Sequence, residues 1–406
     1  MIYNLREYQQ QIVNIAVHSL KNNKENNFIV APTGAGKSII IANIVKNLNS
    51  KVLVLQNNKE ILQQNYNKYI SYDFEASIFS ASCNIKEIGD VTFAMIQSIY
   101  KLGDLFKNFK YVIVDECHLI AENSNGMYNT FLKSIGSPNV LGLTATPYKN
   151  VTISKKINNY TFETSTSLKM INRMYPSFFK KMLYNIEISY LQEQGFLSEL
   201  VYQYPDDSFS YSNMPLNSTG ADFKANDMDL YISSNERIKA CVNGIIKNFK
   251  KRKLFLVFAS SKKQAEKIQK ELGLESSIIY GTTSGEQRES IIKDFKEQKI
   301  KVIINIGVLT TGFDCPELDC IVLCRPTLSL SLLYQMIGRG LRIAEGKENC
   351  LILDCCNITK KLGRIETIKI TKEVDSFKDI VETENGVISG IELRKFIIEK
   401  KENKLI

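Results

Sequence analysis

The chain has 406 residues, too many for one ordinary hydrophobic core, so two or three domains are expected. Hydrophobic residues make up 44% and charged residues 23%, the balance of a soluble globular protein, and no apolar run reaches the ~18 residues that span a bilayer. The formal charge of +9, from 52 Lys and Arg against 43 Asp and Glu, suits a polyanionic partner without requiring one.

The opening Met1-Ile2-Tyr3-Asn4-Leu5-Arg6 lacks the sections of a signal peptide, and a cytoplasmic protein is expected. Short β-branched runs then alternate with helical stretches, which predicts an α/β fold of mostly parallel sheets covered by helices. Strands are expected at 28–31, 51–55, 91–95, 111–114 and 140–143. Between the first two, Ile41, Ile44, Val45 and Leu48 recur at the spacing of an amphipathic helix.

The strand at 28–31 runs into Pro32-Thr33-Gly34-Ala35-Gly36-Lys37-Ser38 and then directly into that helix. This is the setting of a phosphate-binding loop. Glycines let backbone N–H groups turn inward around phosphates, and the helix N-terminus adds partial positive charge. Lys37 suits the β- and γ-phosphates of ATP, and the Ser38 hydroxyl suits Mg²⁺. Ala31 stands where the general pattern has its first glycine, so the assignment rests on the Gly-x-Gly-Lys-Ser core between strand and helix.

Apolar Tyr111-Val112-Ile113-Val114 delivers Asp115-Glu116-Cys117-His118 at the end of a strand. There Asp115 suits Mg²⁺ held through its water shell, and Glu116 suits orientation and deprotonation of an attacking water.

From 151 to 190 no clear period emerges. Lys169, Arg173, Lys180 and Lys181 alternate with Met174, Tyr175, Phe178 and Phe179, which fits either a nucleic-acid face or an amphipathic helix pair. The polar stretch 208–227 reads as a connector. A second strand series follows at 253–258, 277–280, 301–306, 320–323 and 350–353, with helices at 262–272 and 286–295. The expected division is a first domain over 1–205, a connector over 206–232, a second domain over 233–360, and a C-terminal extension over 361–406 ending in a solvated, Lys/Glu-rich helix.

Nine cysteines, an odd number, contain no pair of CxxC half-sites. Neither a disulfide framework nor structural zinc is expected. Were zinc bound, Cys315, Cys320 and Cys324 would be the expected ligands.

The Asp-Glu-Cys-His box resembles that of superfamily 2 helicases, and further motifs of that family follow in order. Leu5-Arg6-Glu7-Tyr8-Gln9 resembles the Q motif, which implies that Gln9 reads the adenine edge with Arg6 close to the nucleotide. Leu143-Thr144-Ala145-Thr146-Pro147 resembles motif III, implying that Thr144 and Thr146, with His118, couple the ATP site to nucleic acid. Val257-Phe258-Ala259-Ser260 resembles motif IV, and Leu309-Thr310-Thr311-Gly312-Phe313-Asp314 resembles motif V. Gln335-Met336-Ile337-Gly338-Arg339-Gly340-Leu341-Arg342 resembles motif VI, the source of arginine fingers.

The resemblance implies two tandem RecA-like (P-loop NTPase) domains with mostly parallel sheets and a short C-terminal extension. It implies Gly312, Asp314, Arg339 and Arg342 at the nucleotide and Gln335 in coupling. Asn57, Asn58, Gln97, Ser98, Ser260 and Thr310 become candidates for the DNA backbone, with ordinary loop capping the alternative for each. Arg339 and Arg342, three residues apart, are expected on one face of a helix, where they meet the γ-phosphate only when the domains close.

The closest likeness within the superfamily is to RadD-type DNA-repair helicases and related phage branch-migration helicases. It rests on the motif residues above together with Val52-Leu53-Val54-Leu55 and Arg325-Pro326-Thr327. The cysteine-rich C-terminal region of RadD-type proteins has no counterpart here, since no cysteine follows Cys356. The implied function is ATP-dependent remodelling of single-stranded, forked or branched DNA in a prokaryotic or phage-infected cell. Double-strand translocation without strand separation and RNA unwinding are the alternatives.

Overall fold

The structure, a computed structural model, describes residues 4–120, 126–157, 161–206, 209–210, 214–309, 313–373, 378–390 and 392–399. Its contacts divide the chain into two units. No helix among the described residues is long and apolar enough to cross a membrane.

The first unit comprises residues 1–148 and 170–187. Its sheet has eight strands in the order Lys181–Asn185, Asn27–Val30, Asn139–Thr144, Tyr111–Asp115, Val52–Gln56, Val91–Met95, Ser77–Ser80 and Ile85–Lys86. All neighbours run parallel except the last pair. The central strands are buried along their whole length, which explains why they read as unbroken apolar runs rather than alternating ones. Helices Glu7–Asn22, Lys37–Leu48 and Lys59–Ile70 supply the apolar faces that cover the sheet. Parallel strands aim their C-terminal ends at one edge, and the loops after 30, 115 and 144 therefore gather there.

The second unit comprises residues 149–169 and 188–406. Its six-stranded sheet is wholly parallel, in the order Glu199–Gln203, Asn349–Asp354, Cys320–Leu323, Phe255–Phe258, Val302–Asn305 and Ser276–Ile279. Two three-stranded sheets accompany it. One joins Lys369–Lys372, Asp379–Thr383 and Gly386–Val387, and the other joins Glu392–Glu399, Thr161–Met170 and Tyr148–Lys156.

Two α/β units with mostly parallel sheets form, and four details differ from expectation. Residues 149–169 and Glu199–Gln203 belong with the second unit, so the break expected after 205 is crossed: strand pairing with Asn349–Asp354 overrides proximity in the chain. Where a helix pair was one expectation for 151–190, the described residues form the strands Tyr148–Lys156, Thr161–Met170 and Lys181–Asn185, a 3₁₀ turn at Ile171–Arg173 and a short helix from Ile188. Thr152, Ser154, Thr164 and Thr166 are joined by cross-strand hydroxyl contacts. The described part of the Lys/Glu-rich tail, Glu392–Glu399, is likewise a strand, drawn out by antiparallel pairing to 161–167.

The fourth difference concerns the polar connector. Met214 and Phe223 are buried, Ala225–Ile232 is helical, and Asp222 accepts hydrogen bonds from Thr327 Oγ1 at 2.7 Å and Leu328 N at 2.8 Å. The Asp222 carboxylate thus satisfies the Leu328 backbone N–H instead of facing water.

Candidate nucleotide site and its comparisons

Asn27–Val30 ends at the loop 31–36, and helix Lys37–Leu48 starts at once. Gly34 and Gly36 carry φ of +86° and +81°, which an L side chain tolerates poorly. Gly36 is doubly constrained, because a Cβ there would lie 2.6 Å from Gln9 Nε2. Ala35 N donates to Pro32 O at 3.1 Å and closes the turn, and Thr33 lies within it. The first-turn N–H groups, including those of Lys37 and Ser38, have no intrahelical carbonyl to reach and form the anion-receptive end of the helix.

The Q-motif residues brace this loop. Gln9 Nε2 and Tyr8 Oη each donate to Ala35 O at 3.0 Å, while Gln9 Oε1 accepts from Arg6 N at 3.0 Å. Arg6 reaches the Tyr8 hydroxyl at 3.3 Å. Tyr8, part of the Q-motif stretch, was given no role from the sequence.

At the end of the strand Tyr111–Asp115, Asp115 is buried, accepting from Asn65 Nδ2 at 2.8 Å and from Glu116 N at 3.0 Å. Burial pushes its ionisation up from the usual carboxylate range, against the pull of Lys37. Asn65, on helix Lys59–Ile70, was also missed, since a lone Asn fifty residues away carries no spacing signal.

Glu116 sits at φ +53°, a strained conformation for a residue with a side chain. From there Oε1 meets Lys37 Nζ at 3.1 Å and Oε2 lies 3.4 Å from His118 Nδ1. The same imidazole nitrogen is 2.8 Å from Thr144 Oγ1 and 3.4 Å from Thr146 Oγ1, and Thr146 N donates to Thr144 Oγ1 at 3.0 Å. A continuous polar chain therefore runs Lys37, Glu116, His118, Thr144, Thr146. It joins three motifs separated along the chain, with Lys37 and Glu116 79 positions apart and His118 and Thr144 26 apart.

The group set suits ATP with Mg²⁺. Lys37 and the helix N-terminus offer positive charge for phosphates, and Ser38 and Asp115 offer a hydroxyl and a carboxylate suited to Mg²⁺.

In the second unit, Arg342 forms an ion pair with Asp314, and Arg339 Nη1 donates to Phe313 O at 2.8 Å. The helix expected to carry both arginines ends earlier: Leu330–Ile337 is helical with Gln335 on it, Gly338–Gly340 is a single 3₁₀ turn, and Arg342 follows in irregular chain. Gly340 explains the break, because a Cβ there would lie 2.4 Å from Cys350 Sγ, so the backbone must press against the sheet. The two arginines still converge on the 313–314 segment. Thr310 and Gly312 lie outside the described residues.

The DNA candidates hold local structure. Asn58 caps helix Lys59–Ile70, accepting from Glu60 N at 2.8 Å, and Asn57 O accepts from Gln97 Nε2 at 3.0 Å. Ser98 Oγ accepts from Ala81 N at 2.9 Å, and Ser260 N and Oγ both donate to Gln264 Oε1. The zinc ligands expected from the sequence, Cys315, Cys320 and Cys324, are not assembled; the cysteines that cluster among the described residues are Cys241, Cys324 and Cys355. Cys320 opens a four-residue strand and Cys324 follows its end, about 13 Å away at strand rise.

Residues 2–149 match the family model described as Type III restriction enzyme, res subunit, and residues 236–344 match the helicase conserved C-terminal domain. The chain belongs to helicase superfamily 2. Among relatives of this superfamily 2 chain is a provisionally named ATP-dependent helicase of Saccharomyces cerevisiae, IRC3, 27% identical across 86% of this chain and 51% of the relative. Another is the DNA 3'-5' translocase XPB2 of Sulfurisphaera tokodaii, 23% identical across 86% of this chain and 80% of the relative. The chain thus spans about half the length of the yeast helicase. The ATP-dependent type ISP restriction–modification enzyme LlaBIII, solved bound to DNA, has the same fold: TM-score 0.62 at 19% identity, over 87% of this chain and 28% of that one.

Proposed function

We propose that this superfamily 2 chain is an ATP-dependent DNA helicase or translocase that couples hydrolysis to remodelling of forked or branched DNA. The observation that carries the reading is the polar chain from Lys37 through Glu116 and His118 to Thr144 and Thr146. It connects groups suited to phosphate and water with the loop that follows the C-terminal end of the neighbouring parallel strand, which offers a route for coupling.

In this reading the loop Pro32-Thr33-Gly34-Ala35-Gly36 cradles the phosphates and Lys37 neutralises their charge. Ser38 and Asp115 hold Mg²⁺, which adds charge neutralisation at the phosphate oxygens. Glu116 orients the attacking water and takes its proton. Arg6 and Gln9 recognise the base. Gly312, Asp314, Arg339 and Arg342, carried by the second unit, serve the phosphoryl group in the ATP-bound state, with the arginines stabilising its developing charge. His118, Thr144, Thr146 and Gln335 relay the nucleotide state.

Asn57, Asn58, Gln97, Ser98, Ser260 and Thr310 contact the sugar-phosphate backbone, so binding is largely independent of sequence. The relative named as a DNA translocase and the DNA-bound structural neighbour support DNA as the track. The setting is the cytoplasm of a prokaryotic or phage-infected cell.

The test compares ATP turnover and strand displacement on forks, three-way and four-way junctions and blunt duplex, each as DNA and as RNA. Stimulation and displacement should be strongest on forked or branched DNA. Stimulation by blunt duplex without displacement would establish translocation alone, and preference for RNA would overturn the DNA assignment.

A further inference from the structure

Three cysteines far apart in sequence converge in the second unit. Cys241 lies on helix Asn235–Asn248, and Cys324 and Cys355 are the first residues beyond strands Cys320–Leu323 and Asn349–Asp354. Those strands are parallel neighbours with Leu323 opposite Asp354, so Cys324 and Cys355 occupy the next rung side by side. The helix brings Cys241 onto them. All three sulfurs lie within 4.8 Å of one another, and the residues are 2%, 3% and 7% exposed.

Cys241 Sγ and Cys324 Sγ are 2.9 Å apart, closer than the ~3.5–4 Å of ordinary nonbonded contact. Sulfurs held around one thiophilic ion at ~2.3 Å each would stand roughly 3.8 Å apart, a spacing reached by side-chain adjustments of under ~1 Å. A small cavity adjoins the trio, lined also by Cys356, Arg237 and Gln264.

We propose that Cys241, Cys324 and Cys355 form a buried thiolate site for a soft metal ion, with Zn²⁺ the ion it takes. Three converging sulfurs distinguish the arrangement from a disulfide, which needs two. Binding Zn²⁺ as three thiolates releases three protons to solvent, one from each thiol, and leaves a site of net charge −1. Arg237 on the cavity wall moderates that charge. The ion would staple helix Asn235–Asn248 to the C-terminal ends of two central strands, a structural role independent of the ATP reading.

The full chain, expressed in zinc-supplemented medium and purified under reducing conditions without chelator, should carry about one zinc per molecule by elemental analysis. Replacing zinc by Co²⁺ should give an intense thiolate-to-cobalt charge-transfer band in the near ultraviolet. Cys355→Ser should lose both signals, whereas Cys83→Ser, in the first unit, should keep them. Removal of zinc should lower the melting temperature by roughly 5 °C. Should Cys355→Ser fail to fold, the cobalt spectrum of the parental protein decides alone. Absence of zinc and of the cobalt band after reconstitution overturns the site. So does a Cys241–Cys324 disulfide in the mass spectrum, or a cobalt band that survives in a folded variant with all three cysteines replaced.

Discussion

His118 Nδ1 lies 2.8 Å from Thr144 Oγ1, in a ring that also approaches Glu116 Oε2 at 3.4 Å. One buried imidazole thus touches the acidic strand end and the Thr-Ala-Thr loop together. His118→Ala should leave ATP turnover on saturating DNA within roughly tenfold of the parent while lowering strand displacement per ATP by more than that. Parallel losses in both assays would make His118 part of hydrolysis rather than of coupling.

Lys37 pairs with Glu116 at 3.1 Å in a partly buried setting. Lys37→Ala should abolish ATP turnover, by roughly 10³-fold, and leave the circular dichroism spectrum unchanged. Near-normal turnover from a folded variant removes the phosphate-loop assignment.

Glu116→Gln keeps the shape and removes the proton acceptor. Nucleotide binding should persist, measured by fluorescent ATP titration, while hydrolysis stops and the variant stays bound to DNA. Loss of nucleotide binding instead would make Glu116 a structural residue, holding Lys37 and His118 in place.

Burial holds the Asp115 carboxyl above its usual range, so its ionised form costs folding free energy. The sign follows: stability from this group is greatest below the ordinary carboxylate range near ~4 and declines as pH rises through the elevated value. Asp115→Asn removes that decline. The nucleotide-free variant should melt roughly 2–4 °C higher at neutral pH, with Mg²⁺-dependent ATPase abolished. A melting temperature lower at neutral pH than the parent's contradicts the burial argument.

Arg342 is paired with Asp314, and Arg339 with the Phe313 carbonyl. Arg339→Ala and Arg342→Ala should each lower DNA-stimulated ATPase by roughly 10³-fold, abolish displacement and still bind ATP nearly normally. A variant that unfolds, or one that hydrolyses ATP at the parental rate on saturating DNA, assigns that arginine to the internal architecture of the second unit.

The sequence alone determined the parallel α/β architecture and the strand–loop–helix setting of the candidate nucleotide site. Strands buried on both faces spell continuous apolar runs, and Gly34, Gly36, Lys37 and Ser38 are adjacent residues whose chemistry depends only on a strand before and a helix after. Asp115 and Glu116 were legible for the same reason.

What the tertiary structure decided is everything that depends on pairing between distant segments. Edge strands such as Glu199–Gln203 and Lys181–Asn185 are half-exposed and lack the continuous apolar signal, so only their partners reveal them. Glu392–Glu399 of the Lys/Glu-rich tail is extended because Thr161–Met170 offers it backbone partners, which local propensity does not register. Asn65 beside Asp115, Tyr8 on Ala35 and the trio Cys241, Cys324 and Cys355 come from separate elements. Their proximity follows from strand register and helix placement, long-range consequences of packing that spacing along a chain does not encode.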